Sequence, residues 1–275
     1  IYTLSLHAAL PIYKKALLVV SFGTSYDETR KKTIDQIEMD LSKTFPEHEF
    51  RRAWTSQMIM NKIKKRDGIH INNPTEALEK LHSEGYDEVL VQPTHIINGS
   101  EYEGLYHDLL NFKDKFKSIS IGNPLLTSME DYKKVAFAMS TIFPKDTGDK
   151  LILLMGHGSE HHANSAYPCM DYVFNEEGYS NVYIATVEGF PDLDTFFSQT
   201  VSNPTKNILL IPFMIVAGDH IQNDLVGDEK DSWKNILLSK GYNVDSIIIG
   251  MGEIQEIRDI FIEHAKKARQ LNVES

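Results

Sequence analysis

The sequence predicts an α/β fold made of two similar domains, each a parallel sheet flanked by helices. Two observations carry this. From Lys14 onward, short and nearly continuous apolar runs alternate with longer amphipathic ones, the pattern of buried parallel strands joined by helical crossovers. The second half then repeats the grammar of the first: "KLILLMGHGS" mirrors "KALLVVSFGTS", and "NILLIPFMIVAGDH" mirrors "EVLVQPTHIINGSE" through a shared proline and glycine, in the same order.

"KALLVVSFG" reads as a strand ending at Gly23, followed by one helix over Tyr26 to Phe45 that Pro46 closes. "EFRRAWTS" is a second strand, with a helix from about Gln57 to Lys65. "TEALEKLHSEGY" is a helix ending on Gly85, and "DEVLVQPTHII" is a third strand running into Pro93. A helix near Tyr106–Phe116 leads to the strand "SISIG" and the loop "NPLL". In the second half, "NVYIATVEGFP" supplies a strand between the two mirrored ones, and "NVDSIIIGMGE" corresponds to "SISIGNPLL". The boundary is placed in the polar stretch "FPKDTGDK", giving halves of 14–145 and 146–275, with a last amphipathic helix over about 254–270 that can pack back on the first half. Residues 1–13, "IYTLSLHAALPIY", match no periodicity in the rest of the chain and read as non-native sequence, or else as the end of a leader peptide.

A chain of 275 residues is long enough to bury a substantial core. Its net charge of -11 argues against general nucleic-acid binding and leaves cations and small molecules as partners. The one basic run, Lys62, Lys64, Lys65 and Arg66, reads as a solvated helix end. The single cysteine, Cys169, excludes an internal disulfide and a multi-cysteine metal site. No apolar run reaches the roughly 20 residues of a membrane helix. A cytoplasmic location is expected, or a periplasmic one if a leader has been lost.

Ligands of open parallel sheets bind beyond the carboxyl ends of the strands. There the second half delivers His157 after "LILLMG", Glu188 after "VYIATV" and His220 after "ILLIPFMIVAGD". Two imidazoles and a carboxylate suit cobalt, iron, nickel or zinc better than calcium or magnesium, and three protein ligands keep a coordination position open. Taken singly, each residue is equally well explained as a backbone-bonding or loop residue; it is the convergence of three that favours a metal site.

The stretches "LLVVSFGTSYDETR", "QPTHIINGSEYE", "MGHGSEHHAN", "TVEGFP" and "VAGDHIQNDLVGDEKDSWK" closely resemble the sirohydrochlorin cobaltochelatases of anaerobic cobalamin biosynthesis, within the class II tetrapyrrole chelatases. The resemblance covers nearly everything from Lys14 to the last helix. It implies a chelatase-like fold with an active-site cleft between the halves and insertion of Co²⁺ into sirohydrochlorin without a nucleotide or organic cofactor. It also implies that His157, Glu188 and His220 are the metal-binding residues; the chemistry of metallation makes them catalytic as well, with one histidine expected to accept a pyrrole proton.

In the mirrored alignment His95 and Glu101 fall on the equivalent edge of the first sheet, as candidate substrate-binding residues. Ser21, Thr24 and Ser25 could meet substrate carboxylates or simply cap a helix. Arg51 and Arg52 could pair with carboxylates or lie on a strand edge. His161 and His162 read as polar residues at a helix start, with a metal relay as the alternative. Asp219, Asn223, Asp224 and Asp228 are candidates to support His220 from behind or to solvate a turn. Trp233 reads as a core or interface anchor. Iron or nickel insertion, a non-catalytic tetrapyrrole or metal carrier, a metallohydrolase and a homo-oligomeric assembly stay open at this point.

Overall fold

A computed structural model describes residues 13–144, 149–218, 225 and 231–271. In chain order the first half contains β1 (Lys15–Ser21), α1 (Asp27–Lys32), α2 (Ile34–Thr44), β2 (Glu49–Trp54), α3 (Gln57–Asp67), α4 (Pro74–Ser83), β3 (Glu88–Pro93), α5 (Ser100–Phe112), β4 (Ser118–Ile121) and α6 (Met129–Ser140). The second contains β5 (Leu151–Gly158), α7 (Ala166–Glu176), β6 (Val182–Glu188), α8 (Leu193–Thr200), β7 (Asn207–Pro212), α9 (Trp233–Ser239), β8 (Asn243–Ser246), α10 (Gln255–Lys266) and β9 (Arg269–Gln270).

The strands form two sheets, ordered β2-β1-β3-β4-β9 and β6-β5-β7-β8. All neighbouring strands are parallel except β9, which runs antiparallel to β4. Dropping β9 leaves the same order twice, which is the structural counterpart of the mirrored sequence segments. In β1 every residue from Ala16 to Val20 is fully buried, as expected of a central parallel strand covered on both faces. Local signals fix several helix starts: Asn73 and Glu76 form a reciprocal capping box ahead of Pro74, and Ser128 and Asp131 do the same for α6. No helix among the described residues is long and apolar enough to cross a membrane.

Four elements differ from expectation. The single helix over Tyr26–Phe45 is two, because Thr33 (φ -118°, ψ -85°) leaves helical geometry. Its buried side chain packs against a glycine turn, where a Cβ on Gly250 or Gly252 would come within 2.8 or 2.9 Å of it. The helix expected near Tyr106–Phe116 starts at Ser100, which puts Glu101 and Glu103 in its first turn. The third strand of the second half stops at Pro212, eight residues short of His220, since Pro212 ends the pairing and Phe213–Ala217 turn away. The last helix stops at Lys266, and the chain turns back to add β9 to the first sheet.

The halves are joined by packed helices. One apolar cluster contains Leu17 and Val19 of β1, Ile152 and Leu154 of β5, and Phe174, Phe213 and Phe261 between them. Helix α10 lies against α2 and α6. Arg258 Nε bonds Asp40 Oδ2 at 2.7 Å, and His264 is buried between Asp131 Oδ1 (3.0 Å) and the Asn123 carbonyl (3.1 Å). Both ring nitrogens of His264 thus face oxygen atoms. Burial pushes the Asp131 carboxyl up, but hydrogen bonds from His264 and Ser128 outweigh it, and the net shift is downward. Asp131→Ala leaves His264 buried without its carboxylate and is expected to cost about 3 kcal/mol, read from urea unfolding at neutral pH. Because the Asp131 pKa is depressed on folding, its contribution is present above about pH 4 and disappears as pH falls through the folded value. The variant should therefore converge with wild type in strong acid.

Candidate metal centre

His157 and Glu188 sit at the carboxyl edge of the second sheet, on adjacent strands. Their placement rests on two glycines. Gly158 pairs with Glu188, and a Cβ on it would lie 1.5 Å from the Glu188 carbonyl oxygen; its φ of +81° is also one that side-chain-bearing residues avoid. Gly156 makes room for Tyr167, whose ring would be 2.5 Å from a Cβ there. The motif "GHG" therefore lets β5 close on β6 and on α7, while His157 between the glycines projects from the edge. His157 Nδ1 lies 3.9 Å from Glu188 Oε2 and 3.1 Å from the Gly158 carbonyl. With the proton on Nδ1, the basic lone pair of the neutral ring is on Nε2. The side chains are 40% and 62% exposed, accessible to an incoming ion.

The loops beyond these strands are tied together. Ser159 N–H donates to Asn164 Oδ1 at 2.9 Å, and Asn164 Nδ2 donates to the Phe190 carbonyl. Gly189 (φ +107°) fits against the same asparagine, with a Cβ placed 2.9 Å from its Oδ1. Thr186 anchors the other side, its N–H and hydroxyl both donating to the Pro191 carbonyl at 2.7 and 2.9 Å.

His220 lies outside the described residues, as do Asp219, Asn223, Asp224 and Asp228. The segment that leads to it is held: Met214 and Ile215 carbonyls accept from Met251 and Gly252 N–H, and a Cβ on Gly218 would be 3.5 Å from Thr24 Oγ1. Gly218 thus lies beside the loop that follows β1 in the first half.

The first-half candidates divide by environment. His95 follows β3; both its ring nitrogens are buried without a hydrogen-bond partner among the described residues, and burial pushes its pKa down to about 4. Glu101 is exposed on the first turn of α5. Ser21, Thr24 and Ser25 are all buried. Ser21 Oγ accepts from Thr94, Thr24 Oγ1 accepts from Tyr26 N–H, and the Ser25 carbonyl accepts from Arg66. The Ser21 and Thr24 hydroxyls are thus engaged within the fold. Arg51 pairs with Glu49 and Glu84, and Arg52 with Glu38 and Asp35. Trp233 is buried in the core beside Leu237.

His161 caps a short 3-10 helix (His162–Ser165), its Nδ1 accepting from Ala163 N–H at 3.2 Å. Its Nε2 is 3.3 Å from Glu103 Oε2 on α5, and its ring is 4.0 Å from that of His162. Glu103 had no distinguishing signal in the sequence. Starting α5 at the "NGSE" turn, as the Gly-Ser pair allows, would have placed it in the first turn facing this edge.

The fold resembles that of solved chelatases. The sirohydrochlorin chelatase SirB from Bacillus subtilis subspecies spizizenii, in complex with cobalt, superposes with a TM-score of 0.58 at 14% identity, covering 92% of this chain and 94% of that one. The fold is thus that of the tetrapyrrole chelatases. Residues 15–270 match the family described as Cobalt chelatase (CbiK), and the chain belongs to that family. It is 38% identical over 261 residues to the sirohydrochlorin cobaltochelatase of Salmonella typhimurium, covering 95% of this chain and 98% of that protein. It is 29% identical over 266 residues to the sirohydrochlorin cobaltochelatase CbiKC of Nitratidesulfovibrio vulgaris, covering 94% and 92%.

This geometry has two measurable outcomes. Gly158→Ala must strain the backbone and push the Glu188 peptide away, so it should lower stability by at least about 2 kcal/mol in denaturant titrations. His95 titrates near 4 folded and near 6.5 unfolded, so the unfolded chain binds the extra proton between those values. Stability should fall as pH drops from 6.5 toward 4, by up to about 3 kcal/mol, and His95→Leu should flatten that slope.

Proposed function

We propose that this chain inserts Co²⁺ into sirohydrochlorin, with release of two protons, in anaerobic cobalamin biosynthesis. The observation that carries the reading is membership of the cobalt chelatase family over residues 15–270, with a sirohydrochlorin cobaltochelatase 38% identical along nearly the whole chain. His157, Glu188 and His220 are the proposed metal ligands. Convergence of His157 and Glu188 at one sheet edge, within 3.9 Å, supports the first two; His220 is carried by the resemblance of "VAGDHIQND". Asp219 and Asp224 are proposed to orient His220 from behind. His95 and Glu101 are proposed to face the macrocycle from the first half, which together with the second acts as one of two walls around the substrate.

Metallation requires that two pyrrole N–H groups lose their protons while a partly dehydrated cation meets the ring face. Two neutral imidazoles and one carboxylate hold a borderline cation without enclosing it. Glu188 supplies charge that draws the ion in, and a histidine lone pair released as the ion leaves can take up a pyrrole proton. Holding ion and macrocycle face to face replaces a three-body encounter by a local transfer. His95, kept neutral by burial, offers a polar ring without adding positive charge beside the cation. Cobalt is the proposed metal and the cytoplasm the proposed compartment; no organic cofactor is needed.

Glu188→Ala and His157→Ala are each expected to slow metallation about 100-fold or more, followed by the visible spectrum of sirohydrochlorin with Co²⁺. Wild type should convert many equivalents of substrate per chain, whereas a carrier would change the spectrum once, stoichiometrically. Parallel assays with Fe²⁺ and Ni²⁺ in competition fix the metal; preference for either over Co²⁺ would redirect the assignment within the chelatases.

A further inference from the structure

Glu103, His161 and His162 bring one carboxylate and two imidazoles together, with their donor atoms all within 4.8 Å of one another. Like the reaction centre, they are a His, His and Glu set. Unlike it, they are drawn from both halves: Glu103 from the first turn of α5, the histidines from the loop after β5. We propose that these three residues form a second, weaker binding site for a divalent borderline transition metal, which holds Co²⁺ before it passes to the reaction centre. The staging role rests on the chelatase reading above; the binding of metal does not.

The capping role of His161 does not account for the cluster. It uses only Nδ1, whereas Nε2 is turned to Glu103 at 3.3 Å across the boundary between halves, and the side chain is only 16% exposed. His162, on the exposed side, stacks its ring 4.0 Å away. Donor atoms around a tetrahedral ion with bonds of about 2.0–2.1 Å are roughly 3.3 Å apart, so the Glu103–His161 pair is already at ligand spacing and only His162 has to swing inward. His161 lies four positions after His157, on the loop that leaves β5, and Asn164 ties that loop to the Phe190 carbonyl just past Glu188. The second site therefore adjoins the first, on a backbone held rigid relative to it.

The geometry also explains why the hold would be loose. While Nδ1 accepts from Ala163 N–H, the proton of the neutral ring is on Nε2, directed at Glu103. For Nε2 to bind a cation that proton must move to Nδ1, and the bond from Ala163 is given up. Metal binding is thus coupled to loss of a helix cap, which opposes tight retention, and a matched donor set with weaker affinity suits an ion in transit.

The test uses Co²⁺ alone and then the complete reaction. Equilibrium dialysis and visible absorption of bound Co²⁺ are compared for wild type, His157→Ala, and Glu103→Gln combined with His162→Ala; His161→Asn, which preserves a capping acceptor, guards against a folding defect. Wild type should bind one equivalent more than Glu103→Gln/His162→Ala, while His157→Ala retains that extra, weaker equivalent. In metallation, the double variant should show an apparent KM for Co²⁺ raised about tenfold with kcat changed less than twofold. Unchanged stoichiometry and affinity in the double variant would overturn the site, and an unchanged KM for Co²⁺ would overturn its staging role. Failure of wild type to metallate sirohydrochlorin would instead strike the chelatase reading, and the dialysis would still decide whether the cluster binds metal.

Discussion

The arrangement at the carboxyl edge of the second sheet depends on how closely β5 runs past β6 at Gly158. A strand normally keeps its neighbour at the spacing set by ladder hydrogen bonds, and side chains stand off the sheet on either face. Here the Glu188 carbonyl occupies the space where a Cβ would be. That single absence of a methylene lets two strands converge at their ends and brings a histidine and a glutamate from different crossovers to one point. Gly156 makes the same concession to Tyr167 on the helix that comes next. Asn164 then fixes the two outgoing loops to each other, so the position of Glu188 is set by backbone contacts and owes little to its own exposed side chain.

The two sheets share a strand order but not a chemistry. The position of "GHG" in the second half is taken by "SFG" in the first. Gly23 also has a positive φ, as Gly158 does, but it packs against the Trp54 ring rather than a carbonyl, and the hydroxyls around it are turned inward. The first half contributes support instead: a buried neutral His95, an exposed Glu101 and Glu103 on α5, and a platform for α10. A shared apolar core and the buried Asp131–His264 contact keep the halves in register.

Most of the fold was legible because the strands are apolar throughout and helix and strand periods differ sharply. The second-half strand ends at His157 and Glu188 could be read for the same reason. What escaped was decided by long-range packing. Nothing local marks Thr33 as a break; it bends because Gly250 and Gly252, more than 200 residues away, leave it room. The run "ILLIPFMIVAGD" looks like one strand because its apolar character continues past Pro212, yet Phe213, Met214 and Ala217 are buried outside the sheet, with the Met214 and Ile215 carbonyls bonded to the turn before α10. The sequence pattern does not set apart helices α6, α7, α8 and α9, and it leaves Glu103 unmarked because an acidic residue in a helix's first turn is ordinary until its neighbour is known.

The placement of β9 bears on the order in which the molecule can be made. The edge of the first sheet at β4 and the outer surfaces of α2 and α6 are finished only by α10 and β9, residues 255–270. During synthesis, everything from β1 to α6 emerges long before its covering segment. The nascent first half must therefore wait with an unpaired edge and an uncovered apolar face until the second half has been translated. Because the earliest part is completed by the latest, truncation from the carboxyl side should damage the amino-terminal sheet.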